Sequence, residues 1–146
     1  MKFEHIKKLL SAAETKKRLE TTELAALRAA RRALHDEAER VESTARQSRL
    51  AHDETPTGSD LTNYGRNLDQ LYSTAGKLRN KAADYETPIK AQANEVRAAL
   101  RRKMAWESLF DAALRNRRKE LEKKDEQIRE ETSLKALAAR RRGIAR

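Results

Sequence analysis

The chain has 146 residues, 38% of them charged and 4% aromatic, and carries a net charge of +10. Too little aromatic and branched mass is present to fill a round core, so a compact globular domain is excluded. The absence of cysteine excludes disulfides, thiol catalysis and thiolate metal sites, while the positive surplus admits an acidic protein, a nucleic acid or an anionic membrane as partner. In chain order, Met1 to Leu10 alternates charged with apolar residues. It lacks the apolar centre of a signal peptide, and no run approaches the ~18 apolar residues of a membrane span, so a cytoplasmic location is expected.

The first predicted element is a helix from about Phe3 to about His52, a stretch without Gly or Pro. At alternating spacings of three and four stand Ile6, Leu10, Ala13, Lys17, Glu20, Leu24, Leu27, Arg31, Leu34, Ala38, Val41 and Ala45. This is a heptad seam flawed at Lys17, Glu20 and Arg31, where charge lowers stability and leaves room for a partner or a specific register. The small Ala38 and Ala45 allow close helix approach.

A polar turn is expected at residues 53–60, where Pro56 and Gly58 interrupt the pattern, with Ser59 or Asp60 capping the next helix. That second helix is expected from about Leu61 to about Arg141. Its seam reads Leu61, Tyr64, Leu68, Leu71, Ala75, Leu78, Ala82, Tyr85 and Ile89. Beyond Ile89 the spacing through Ala93, Val96, Leu100, Phe110, Leu114, Leu121 and Ile128 loosens, which reads as a stutter. Gly65 and Gly76 each cost about 1 kcal/mol relative to Ala inside a helix. Pro88 interrupts the hydrogen-bond ladder, and a kink at residues 84–87 is favoured over a true break with Thr87 as cap and Pro88 in first position.

Two seams joined by a short turn fold back on each other. The expected architecture is therefore all-α, a single long two-helix antiparallel coiled-coil hairpin over residues 1–146 with a C-terminal helical overhang. Counting outward from the turn puts Phe3 opposite a residue near position 109. Trp106 and Phe110 then close the seam against Phe3 and Ile6, or stand free as anchors for a partner. Everything after about Ala112 overhangs, a helix marginal by itself in water.

Sites of chemistry are sparse. His5, His35 and His52 have no second ligand at metal-binding spacing, no glycine-rich phosphate loop is present, and a two-helix hairpin offers no cleft to bury a carboxylate. An enzyme is therefore not expected, and neither a cofactor, a metal nor a small-molecule substrate is called for. The overhang, residues 112–146, holds 12 Lys/Arg against 6 Asp/Glu, densest at Arg115, Arg117, Arg118, Lys119 and at Arg140 to Arg142. Its readings are contact with an acidic protein, a plain solvated face supported by pairs such as Glu120/Lys124 and Asp125/Arg129, or contact with nucleic acid. No leucine zipper follows the basic run, as it would in a basic-zipper protein. Near the turn, Leu68 and Leu71 belong to the seam, whereas Tyr72 falls beside it and is the better contact residue.

The order of parts resembles the flagellar export protein FliJ family over nearly the whole chain. The resemblance lies in Tyr64-x3-Leu68-x2-Leu71, in Ile89-x2-Gln92-x3-Val96, and in Leu114-Arg115-x-Arg117-Arg118-Lys119-Glu120-Leu121 running to Lys123-Lys124-Asp125-Glu126-Gln127. The injectisome stalk proteins of type III secretion look similar. The resemblance implies a non-enzymatic antiparallel coiled coil that acts as central stalk of the hexameric flagellar export ATPase and promotes its assembly and activity. It also implies contact with the cytoplasmic domain of the export gate and the escort of export chaperones. The location would be cytoplasmic, at the inner-membrane face of the flagellar base, with the membrane met only peripherally. Carried onto this chain, ATPase contact falls on Arg115, Arg117, Arg118, Lys119, Lys123 and Lys124, and gate contact on Tyr64, Leu68, Leu71 and Tyr72. Pro88 and the Ala-rich ending from Leu134 depart from the pattern. The rival readings are a basic helical nucleic-acid binder and a structural coiled-coil dimer joined through the overhang.

Overall fold

The computed structural model describes residues 2–51 and 58–144, with side chains at 2–48 and 61–143. The chain is all-α. Helix α1 spans Phe3–Ala51, α2 spans Gly58–Asp84 and α3 spans Glu86–Ile144. The segment that holds Pro56, and with it His52, lies outside the described residues. Helix α2 begins at Gly58, so Ser59 and Asp60 stand inside the helix and do not precede it as caps. Threonine, a weak helix former, is accommodated along these helices by turning its hydroxyl onto the carbonyl four residues back, as at Thr21, Thr44 and Thr74.

The second helical run bends where the proline requires it. Only Tyr85 separates α2 from α3. Its N–H donates to the Ala82 carbonyl at 3.1 Å, and the Ile89 N–H donates to the Tyr85 carbonyl at 2.9 Å. Between these bonds Pro88 has no N–H to offer the carbonyl of Asp84. The kink thus falls within the expected stretch, and the helix resumes at Glu86, two residues ahead of the proline, not at Thr87 or Pro88. Glu86 stabilises this new N-terminus by its charge and pairs with Lys90 at 3.2 Å.

The chain forms two compact units, residues 1–15 with 101–146, and residues 16–100. In the second, α1 pairs with α2 and the first turns of α3. Glu42 on α1 takes both guanidinium nitrogens of Arg79 on α2, one of them at 2.9 Å. Glu20, further back on α1, meets Gln92 on α3, whose amide donates to the Glu20 carbonyl at 3.0 Å and to its carboxylate. As α1 is followed toward its start the partner is met further along the chain, so the packing is antiparallel. Among the described residues of this unit the buried ones are Leu24, Ala38, Ala45, Ala75, Ala82, Ile89 and Ala99. Five of these seven are alanine, so backbones approach closely and the area each residue removes from water is small.

All twelve seam positions expected on α1 are buried or half-buried, the charged Lys17, Glu20 and Arg31 included. Along α3 the expected stutter is absent. After Ile89 the covered positions are Gln92, Ala93, Val96, Ala98, Ala99, Lys103, Trp106, Glu107, Phe110, Ala112 and Ala113, among which Gln92, Val96, Ala99, Lys103, Trp106, Phe110 and Ala113 keep an alternation of three and four. Leu100 is exposed and Ala99 buried in its place. The seam passes through a glutamine and a lysine because each has a use there. Gln92 satisfies Glu20, and Lys103 lays its stem along the seam while its ammonium reaches Glu107 at 3.3 Å.

Candidate interaction surfaces

The unit of residues 1–15 and 101–146 is built around Phe3. The Phe3 and Phe110 rings stack with centroids 5.2 Å apart and planes inclined by 28°. The guanidinium of Arg117 lies 5.0 Å from the centre of the Phe3 ring, a cation–π contact worth about 0.5–1 kcal/mol at an exposed site. Ile6 is buried and Trp106 half-buried in the same unit. Of the two readings of the aromatic pair, Phe110 therefore closes the seam against Phe3, and the residue opposite Phe3 falls within one position of the count from sequence. An open groove of about 400 Å³ lies beside this contact, lined by Phe3, Ala113, Asn116, Arg117 and Glu120.

From Leu114 to Gly143 every residue of α3 is exposed. Arg115, Arg118, Lys119, Lys123 and Lys124 all lie in this stretch, and Arg117 is exposed beyond its contact with Phe3. Among the described residues no ion pair ties these cations down, and neither Glu120/Lys124 nor Asp125/Arg129 closes to bonding distance. The two unit compositions differ sharply. Residues 1–15 and 101–146 contain 18 Lys/Arg and 10 Asp/Glu, a surplus of eight, whereas residues 16–100 contain 15 and 13. Most of the net charge belongs to the unit that contains both terminal segments.

The second group of candidate residues lies on the first turns of α2. Tyr64, Leu68 and Leu71 are half-buried, and Tyr72 is 43% exposed. Leu61, which the spacing assigns to the seam, is 53% exposed and stands with Tyr72 as apolar surface open to water. Its position at the very start of the stripe was the only sign of this. The role of Phe3 as a platform for Arg117 was also hidden in the sequence, because it needs the exact pairing of two segments about a hundred residues apart.

Other chemistry is thin. Among the described residues no group of His, Cys, Asp and Glu is placed to hold a metal ion, and no helix is long and apolar enough to cross a membrane. Among the described residues the one resolved electrostatic perturbation is structural. The Arg79 guanidinium bonded to Glu42 holds that carboxyl below its ordinary value, and Glu42 in turn raises Arg79. Compared with models of known protein families, with curated proteins and with solved structures, the chain finds no match in any of the three.

Proposed function

We propose that the chain is a non-enzymatic stalk of a bacterial flagellar type III export apparatus, entering the hexameric export ATPase and promoting its assembly and activity. The observation that carries this reading is the concentration of uncompensated positive charge on the exposed length of α3 in the unit that also contains Met1 to Thr15. A stalk that turns or shifts in a ring must hold its contacts on a stiff element, and must be drawn in by charge that no internal partner has neutralised. Arg115, Arg117, Arg118, Lys119, Lys123 and Lys124 would make that contact with acidic loops of the ring. Tyr64, Leu68, Leu71 and Tyr72 would meet the cytoplasmic domain of the export gate, with Tyr72, and Leu61 about three turns before it on α2, supplying open apolar surface. Escort of export chaperones belongs to the same proposal, as does a cytoplasmic location at the inner-membrane face of the flagellar base.

The experiment is capture of the export ATPase of the same organism at physiological salt, with ATP hydrolysis followed in parallel. Binding and faster hydrolysis are expected, and both should fall when Arg115, Arg117 and Arg118 are replaced together by Ala. Unchanged stimulation by that variant would remove the basic stretch from the contact. Gate binding that survives Tyr64→Ala with Tyr72→Ala would remove the second surface. Absence of binding and of stimulation by the unaltered chain would end the stalk reading.

A further inference from the structure

Leu114, Leu121 and Ile128 are each seven residues from the next and are 39%, 56% and 60% exposed. Residues at that spacing share one face of a helix, drifting about 20° per heptad. Phe110 lies one turn before Leu114 on this face and is covered by Phe3. The stripe therefore begins in a packed seam and continues uncovered.

The charges around the stripe are arranged in blocks. Arg115, Arg117, Arg118 and Lys119 follow Leu114, and Asp125, Glu126, Glu130 and Glu131 surround Ile128 with Arg129 among them. Residues 115–119 contain no acid. Laid against itself in parallel, this helix would face cation with cation. Laid antiparallel about a centre between Leu121 and Lys124, it sets the basic block of each copy beside the acidic block of the other, twice. An acidic partner would match only the first block; a second copy of this chain matches both.

We infer that residues 114–131 of α3 form an antiparallel self-association surface, occupied by the same residues of a second copy. The match ends there. Further along, Arg140, Arg141 and Arg142 of one copy would come level with residues 103–105 of the other, close to Arg101, Arg102 and Lys103, so the paired segment is short. In this register Leu114, Leu121 and Ile128 of each copy lie level with Glu131, Lys124 and Arg117 of the other, so the two stripes alternate along the contact without facing one another, and with screened charge they make a weak, reversible and salt-sensitive dimer. The inference does not rest on the stalk reading. Its consequence for that reading is that pairing covers Arg115, Arg118 and Lys119, so a paired copy and a ring-bound copy are mutually exclusive.

The test is sedimentation equilibrium of the purified full chain across a concentration series at low and high salt. The expected result is a mass that rises toward twice that of the chain with concentration and falls back as salt is raised. Two charge-swapped chains sharpen it, one carrying Arg115→Glu, Arg118→Glu and Lys119→Glu, the other Asp125→Lys, Glu126→Lys, Glu130→Lys and Glu131→Lys. Each alone should stay monomeric, and an equimolar mixture should form the heterodimer. Circular dichroism of each variant checks that it remains helical, and Leu121→Asp, which leaves both charge blocks intact, should abolish pairing of the unaltered chain if a swapped variant fails to fold. Orientation is read by disulfide formation in this cysteine-free chain. A mixture of Leu114→Cys and Glu131→Cys chains should cross-link to each other, and Leu114→Cys alone should not. A monomer at every concentration, a dimer indifferent to Leu121→Asp, or ready cross-linking of Leu114→Cys with itself would each overturn the proposal.

Discussion

At the scale of single residues, the ion pair of Glu42 with Arg79 is the clearest case of a side chain that defines where two helices meet. It is bidentate, and Arg79 is 44% and Glu42 19% exposed at the side chain, so water and salt weaken it. Its value therefore lies more in selecting one register than in raw stability. The folded Glu42 carboxyl titrates below its ordinary value because of Arg79. Its contribution is then fully present above the carboxyl value of the unfolded chain and is lost as pH falls through the depressed folded value. At low salt, Glu42→Gln should lower Tm at neutral pH, and the gap from the unaltered chain should close on acidification below the usual carboxylate range. A gap that persists in acid would assign the effect to packing. Gly76 gives the opposite kind of prediction. A Cβ built there meets nothing within 4 Å, so Gly76→Ala should stabilise the helix by about 1 kcal/mol, measurable by urea denaturation.

The elements show which parts of the fold were legible in the amino-acid pattern. The α1 seam was readable in full because nine of its twelve positions are apolar and the three charged ones sit at the same spacing. On α3 the pattern misled at Leu100, which is exposed while Ala99 beside it is buried, and Ala93 is half-buried as expected but shares its cover with Gln92. Polarity marks a seam only where burial is deep; a two-helix contact covers Gln92 and Lys103 well enough while leaving their heads hydrogen-bonded or wet. The basic stretch from Arg115 was legible as a count of charges, whereas its lack of internal ion pairs was not, since that depends on rotamers. Two substitutions test the elements. Ala82 is fully buried, and Ala82→Leu should destabilise the unit of residues 16–100 by about 1–3 kcal/mol, because the added methylenes force the backbones apart. Pro88→Ala restores the missing N–H opposite Asp84, and hydrogen exchange of the amides at residues 86–89 should slow.

For the whole molecule, eight of the described apolar residues are buried and five of these are alanine, less burial than a compact protein of this mass achieves. Since less surface is exposed anew on unfolding, the heat-capacity increment measured by calorimetry should fall clearly below the usual ~12–15 cal/mol/K per residue. Truncation after Arg118 should remove helical signal in proportion to its length and leave Tm unchanged, because the residues deleted are exposed throughout their described length. A large drop in Tm would mean that the terminal helix supports the packed units. One further property comes from the alanines. Ala38 and Ala45 on α1 are seven residues apart, as are Ala75 and Ala82 on α2, and all four are essentially inaccessible. Side chains this small interlock little along the helix axis, so the choice of register in residues 16–100 falls largely to Glu42–Arg79 and Glu20–Gln92.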